Sequence, residues 1–290
     1  MSLYTMQQII EAAEEKRTKI STVAIELESK ETGLSNTEIK EKMTCNYNVM
    51  KDSVSHGISK IIPSISGLTG GEGFNLWQCK EKGLSGETIL KASSRAMAVS
   101  NINASMGRIV AAPTAGSCGI IPGVLITVGE LLGKSDEEIV EALITSAVVG
   151  KIIAQNATLA GAEGGCQAEC GAASAMAAAA AVELAGGSPT QSGDAAAIAL
   201  KGIMGLICDP VAGLVEVPCI KRNSFGAAQA ILAADMAMSD IKSVIPIDEV
   251  IKAMGEVGHA MPVEFRETSM GGLAATDTGK ALEEKLMKKE

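Results

Sequence analysis

Four of the seven cysteines in this 290-residue chain stand in two segments rich in glycine or proline. They are Gly161-Ala-Glu-Gly-Gly-Cys-Gln-Ala-Glu-Cys-Gly171 and Cys208-Asp-Pro-Val-Ala-Gly-Leu-Val-Glu-Val-Pro-Cys219. A third segment of the same character, Ala112-Pro-Thr-Ala-Gly-Ser-Cys-Gly119, carries Cys118. Glycines let backbone approach a ligand and present amide N–H groups, which at a helix N-terminus suit an anion such as a carboxylate or a sulfide. The three segments therefore have the makings of one site. By spacing alone, Cys166, Cys170, Cys208 and Cys219 offer four thiolates to a metal. The pattern is neither a pair of zinc-ribbon C-x₂-C units nor a dense ferredoxin run. For Cys170, which precedes an alanine run, the competing account is a small apolar residue packed on a helix.

The elements that must position these residues read as helices. Residues 4 to 30 carry Met6, Ile9, Ile10, Ala13, Ile20, Val23, Ala24 and Leu27 at helical spacing, which predicts one amphipathic helix ended by Gly33. Ser35 with Glu38 forms a capping box for a second helix towards Gly57, and Ser135 with Glu138 forms another. Ser188, Pro189 and Gln191 combine an N-cap, a proline at the first helical position and a third-position partner. Ser85 is the expected cap of a helix through Ile89 to Ile102, and Ala172 to Leu184 is nearly pure alanine, which lets neighbouring helices come close. Residues 58 to 86, with Pro63 and six glycines, read as a long loop that needs a partner to order it. Nothing alternates with period two for long enough to demand a sheet. The expectation is an all-α fold, a single compact multi-helix domain spanning 1–290, with a charged end from Lys280 to Glu290.

Composition narrows the function. A net charge of −9 supplies no basic patch, which excludes a nucleic-acid partner. Aromatic residues are 2% of the chain, so a core must be built from aliphatic side chains and 14 methionines. No membrane span is expected, because the apolar stretches near 143–160 and 195–218 are interrupted by Lys151, Gln155 and Asn156, and by Lys201 and Asp209. Without a signal-like N-terminal stretch the expected location is cytoplasmic, where thiols stay reduced and disulfides are not expected. A lysine Schiff base on a phosphate-binding sheet, as pyridoxal chemistry requires, has no counterpart here.

The three glycine-rich segments, extended through Ile220-Lys-Arg-Asn223, together with Arg266-Glu-Thr-Ser-Met-Gly-Gly-Leu273, resemble the α-chain, or catalytic domain, of the iron-sulfur L-serine dehydratases. The resemblance runs from about Met50 to Leu273. It implies an all-helical catalytic domain and a [4Fe–4S] cluster held by Cys166, Cys208 and Cys219, with Cys170 left out. Cys118 matches a family cysteine near the site that is not a ligand, while Cys45 and Cys79 match nothing. Family members also carry a Ser-Ser-Ser-His-Thr motif in another domain or chain. Its absence here implies a separate β subunit in a hetero-oligomer. Single-chain relatives can end in a cysteine soon after the Gly-Gly-Leu segment, whereas this chain continues through Thr276 to Lys-Lys-Glu, so regulation or cluster protection by a tail thiol is not expected.

Three thiolates leave one iron with an open position, where four would favour electron transfer. The implied reaction takes L-serine to pyruvate and ammonium: an open iron assists departure of the β-hydroxyl while a base removes the α-proton. Aminoacrylate, the product of water loss, tautomerises and hydrolyses. For the substrate, Thr114, Gly116 and Ser117 are the first candidates to bind the carboxylate, followed by Asn223 and Arg266, with Arg222 beside them. Asn101, Asn103 and Asn156 are either amino-group contacts or helix caps. His56 and His259 sit at helix ends and neither is assigned as the base, which stays unidentified. Two other readings remain open: removal of sulfide from L-cysteine by the same cluster, and a non-catalytic iron-sulfur sensor or electron carrier using all four cysteines.

Overall fold

The computed structural model describes residues 5–288, and among them it has thirteen α-helices and no strand, as the sequence leads one to expect. In chain order they are α1 (Met6–Glu15), α2 (Ile20–Thr32), α3 (Asn36–Ser59), α4 (Glu72–Gln78), α5 (Glu87–Ala104) and α6 (Ile120–Leu132). There follow α7 (Asp136–Asn156), the single turn α8 (Gly161–Gly164), α9 (Ala172–Leu184), α10 (Pro189–Ile203), α11 (Cys219–Met238), α12 (Ile247–Ala260) and α13 (Asp277–Met287).

Helix α9 is the axis of the molecule. Every one of its thirteen residues is buried, eight of them alanine in the span Ala172 to Ala181, and α6, α7, α10 and α11 pack around it. Helix α5 fills the next position, against α3, α4, α6 and α11. Small side chains let helix axes come close on every side, so a core poor in aromatic rings still packs densely. The span Ala115–Leu132 is apolar enough to cross a membrane, but 72% of it is buried inside the fold, which is the position of a core helix.

The capping boxes at Ser35, Ser135 and Ser188 form as read, and Gly33 closes α2 in the left-handed conformation. His56 and His259 fall in the last turns of α3 and α12. Three expectations are corrected. The helix expected over 4–30, whose first residue Tyr4 lies outside the described residues, is two helices broken at Arg17 (φ 52°). No apolar residue lies between Ala13 and Ile20, so nothing holds the intervening turn against the core, and Asp248 of α12 caps α1 by accepting from the Met6 and Gln7 N–H groups (2.8 and 2.9 Å). Helix α5 is capped by Gly86 at φ 80°, a conformation that excludes the side-chain cap assigned to Ser85.

The third correction concerns residues 58–86, which the chain orders by itself. Here α4 packs on α5, and a Cβ on Gly73 would meet the Ala98 backbone at 2.5 Å. Asn101 accepts from the Gly73 N–H (3.1 Å) and donates to Glu72 (2.7 Å), so its side chain pins α4. Glu216 accepts from the Ser66 and Thr69 hydroxyls (2.8 and 2.7 Å). The one tryptophan, Trp77, lies on α4 under the cationic groups of Lys80 and Arg95 (4.8 and 5.0 Å to the ring centre). The charged end forms α13, capped by Thr276; Lys289 and Glu290 lie outside the described residues.

Two outcomes follow from the core. Ala179 has no exposed surface, and Ala179→Leu should lower unfolding free energy in urea by about 1–3 kcal/mol through overpacking. Glu183, buried at the end of α9, accepts from the Ser21 N–H (3.1 Å) and is raised above the ordinary 4.5 by burial. A raised carboxyl contributes stability below its unfolded pKa and loses it as pH rises through the folded value. The melting temperature of the native chain should therefore fall over that window, and Glu183→Gln, which keeps the acceptor, should flatten this part of the profile.

Candidate active site

The predicted site residues come from four places in the chain, three of which meet around the starts of α9 and α11. Cys166 directly precedes a π-helical turn, Gln167–Gly171, that leads into α9. Such turns widen the helix by one residue and recur at functional sites. The turn is anchored by Gln167, which donates to the Met254 carbonyl (3.2 Å) and accepts from the Gly205 N–H (2.8 Å). Cys170 lies inside it with its sulfur 3.4 Å from that of Cys166.

Cys208 sits on an extended segment paired with the residues around Arg266. The Cys208 N–H donates to the Phe265 carbonyl, and the Glu267 N–H to the Cys208 carbonyl, both at 2.8 Å. Next to it, Asp209 accepts from the Leu273 N–H (2.7 Å) and pairs with Arg222 (2.8 Å). A Cβ on Gly272 would lie 2.3 Å from the Asp209 carboxylate, so the second glycine of the Gly-Gly-Leu segment is dictated by that contact and by its φ of 59°. Cys219 is the first residue of α11, and Arg222, one turn on, also donates to the Ile207 carbonyl (3.0 Å). Cys166, Cys208 and Cys219 are 3%, 3% and 8% exposed.

These thiols feel one another. Burial, then the charges of Cys166 and Glu169, push Cys208 up; the same causes push Cys219 up to about 12. The Cys170 thiol and then the Arg222 charge hold Cys166 below its ordinary value against the cost of burial. Cys170 itself is driven upwards by that contact and by burial. Cys118 is fully buried and pushed up to about 12 by desolvation, in keeping with a packing role.

The loop before α6 supplies the other wall. Thr114 donates to Glu169 Oε1 (2.6 Å) and lies 3.1 Å from the Ser117 hydroxyl. Asn223 is fully buried and fully used: its Oδ1 accepts from the Gly119 N–H (2.9 Å), and its Nδ2 donates to the Gly116 and Cys219 carbonyls (2.7 and 3.0 Å). It joins the loop to the start of α11. A Cβ on Gly119 would fall 1.9 Å from the Ala96 carbonyl oxygen, so the loop lies hard against α5. Arg266 instead lines a 590 Å³ cavity with Asn156, Thr158, Glu163 and His259, where its Nε is buried without a partner. Of the three asparagines, Asn101 pins α4 and Asn156 donates to the Ile152 carbonyl (2.9 Å).

Two acids central to this arrangement were not singled out from sequence. Glu169 is 8% exposed and raised above the ordinary carboxyl value by burial, with Thr114 opposing. Glu267, held at φ 64°, projects from the segment paired with Cys208. Glu169, Cys208 and Glu267 form the one His/Cys/Asp/Glu trio among the described residues whose donor atoms all lie within 4.8 Å of one another, a set able to hold a metal ion. The signal for Glu169 was a carboxylate between two cysteines ahead of an alanine run, where water could not reach it; Glu267 gave none.

Asn223→Ala takes their side-chain partner from the Gly119 N–H and the Gly116 carbonyl. It should lower stability in urea by about 1–3 kcal/mol, and proteolysis of the 112–119 loop should quicken.

Comparison with known proteins identifies the family of the chain. The family model described as serine dehydratase alpha chain matches residues 15–274. A Bacillus subtilis protein named probable L-serine dehydratase, alpha chain, is 50% identical over 283 residues, 97% of this chain and 94% of that protein. The L-serine dehydratase alpha chain of Peptoniphilus asaccharolyticus is 41% identical over 288 residues, 99% of each chain. A Streptomyces coelicolor protein named L-serine dehydratase is 38% identical over 275 residues, which cover 89% of this chain and 58% of that longer one. The chain described here belongs to the serine dehydratase alpha chain family.

Proposed function

We propose that this chain is the catalytic α subunit of a cytoplasmic L-serine dehydratase, a lyase that converts L-serine to pyruvate and ammonium, acting as one catalytic domain beside a separate β subunit. The observation that carries the reading is that Cys166, Cys208 and Cys219, from two separate segments, are all buried around the π turn that leads into α9 and the start of α11.

The donor set suits a [4Fe–4S] cluster held by these three thiolates. Cysteine thiolates are the usual ligands of such a cluster, and Arg222 lies where its positive charge offsets thiolate charge. When bound, such a group supplies Lewis acidity to the leaving hydroxyl of serine. The chain's own residues do the rest. Thr114, Gly116 and Ser117 offer hydroxyl and backbone donors to the substrate carboxylate, and Asn223 holds that loop at a fixed distance from Cys219. Arg266, which lines the neighbouring cavity, guides an anionic carboxylate inwards. Burial of the cysteines and of Glu169 excludes bulk water, which strengthens each of these contacts.

Anaerobic reconstitution of the full chain with ferrous iron and sulfide, with and without the β subunit, tests the reading. Iron and sulfide should be retained by the native chain and by Cys170→Ala, and lost in Cys166→Ser, Cys208→Ser and Cys219→Ser. The complex should release pyruvate from L-serine. Air should abolish activity, and ferrous iron with thiol should restore it. Loss of iron in Cys170→Ala would favour the four-thiol sensor or carrier, to which the 3.4 Å approach of Cys170 to Cys166 lends its one point of support. Faster release of hydrogen sulfide from L-cysteine than of pyruvate from L-serine would replace the assignment with a desulfidase.

A further inference from the structure

Cys170 takes no part in holding the cluster or the substrate, yet its Sγ lies 3.4 Å from that of Cys166. No other pair of cysteine sulfurs among the described residues is in hydrogen-bonding contact. The backbone produces this approach. Cys166 directly precedes the π turn and Cys170 lies inside it, and in a turn closed by i→i+5 bonds, side chains four or five positions apart stand one above the other. Cys166 also follows Gly164 and Gly165, so the sulfurs close their remaining gap at the end of the turn and not in the middle of α9. Packing alone does not call for a thiol here, since alanine fills the nearby buried positions Ala172 and Ala173. With Cys166 3% and Cys170 1% exposed, a small oxidant such as hydrogen peroxide is favoured over a bulky one such as oxidised glutathione.

We propose that Cys170 is a resolving cysteine for Cys166 when the chain holds no cluster. Hydrogen peroxide takes the Cys166 thiol to sulfenic acid: sulfur gives up two electrons, the O–O bond breaks, one oxygen stays on sulfur and the other leaves as water. The Cys170 sulfur then attacks the sulfenic sulfur. The S–O bond breaks, the departing hydroxide takes the Cys170 thiol proton and leaves as water, and a disulfide joins the two residues. A thiol reduces that bond, so Cys166 is returned intact. Without Cys170, a second peroxide carries Cys166 on to sulfinic acid, which thiols do not reverse. The disulfide stands on the sulfur contact by itself; the recovery of a cluster ligand rests on the proposed function.

Peroxide treatment of the full cluster-free chain, followed by alkylation in denaturant and peptide mass spectrometry, tests both. In the native chain the fragment carrying Cys166 and Cys170 should lose two hydrogens and resist alkylation, and dithiothreitol should restore both thiols. In Cys170→Ala, a small residue for a small one, the same treatment should place two oxygens on Cys166, and dithiothreitol should not remove them. Free Cys166 and Cys170 thiols in the treated native chain, or a disulfide from Cys166 to Cys208 or Cys219 instead, would overturn the pairing; this measurement needs no variant. Full recovery of the Cys166 thiol in Cys170→Ala would overturn the resolving role. In a second arm, treated chains are reduced, freed of reagent and offered ferrous iron and sulfide. Native chain should take up both as untreated chain does, and Cys170→Ala should lose most of its uptake; equal uptake by the two would overturn the protection. Failure of untreated native chain to assemble a cluster would count against the proposed function and leave the mass measurement standing.

Discussion

The close approach of helices around α9 is the constraint on which the molecule depends. A helix buried on all sides by alanine gives its neighbours no projecting side chain to pack against, so α6, α7, α10 and α11 are held by backbone proximity and many small contacts. The site grows from the ends of these same helices. Cys166 directly precedes the π turn that leads into α9, the first residue of α11 is Cys219, and the loop into α6 carries Thr114 and Ser117. A change in the spacing of the helices would be transmitted directly to the distances between these groups, which links the rigidity of the core to the geometry of the chemistry.

A second layer of polar contacts fixes what the helices bring together. Asn223 spans from the 112–119 loop to α11, and Asp209 joins the Cys208 segment both to Arg222 and to the backbone at Leu273. Each is a buried polar group whose partners lie far away in sequence. Such contacts add little net stability, but their loss is costly because the remaining partner stays buried. They account for why the Asn223 motif and the Arg266 to Leu273 motif occur in one chain: the second motif holds the loop that carries a cysteine.

Much of the helical framework was legible because it obeys local rules. The capping boxes at Ser35, Ser135 and Ser188 and the alanine run of α9 need no tertiary information to be read. The break at Arg17 was written in the polar run from Glu14 to Lys19 but was bridged by helical spacing on either side, whereas the short helix α4 was not legible, since Asn101 pins it from a distant helix. In the candidate site, the cysteines and the Thr114 loop could be picked out by residue type. Asn223 was found as a residue, but its three hydrogen bonds describe a brace between the loop and α11. Glu267 was invisible because only the pairing of its backbone with Cys208 brings it near the thiols.

The position of Trp77 has a practical meaning. As the one indole in a chain with only two tyrosines, on a short helix between Lys80 and Arg95, it makes intrinsic fluorescence a local gauge of the glycine-rich segment. Emission from this protein reports whether that segment is seated on α5.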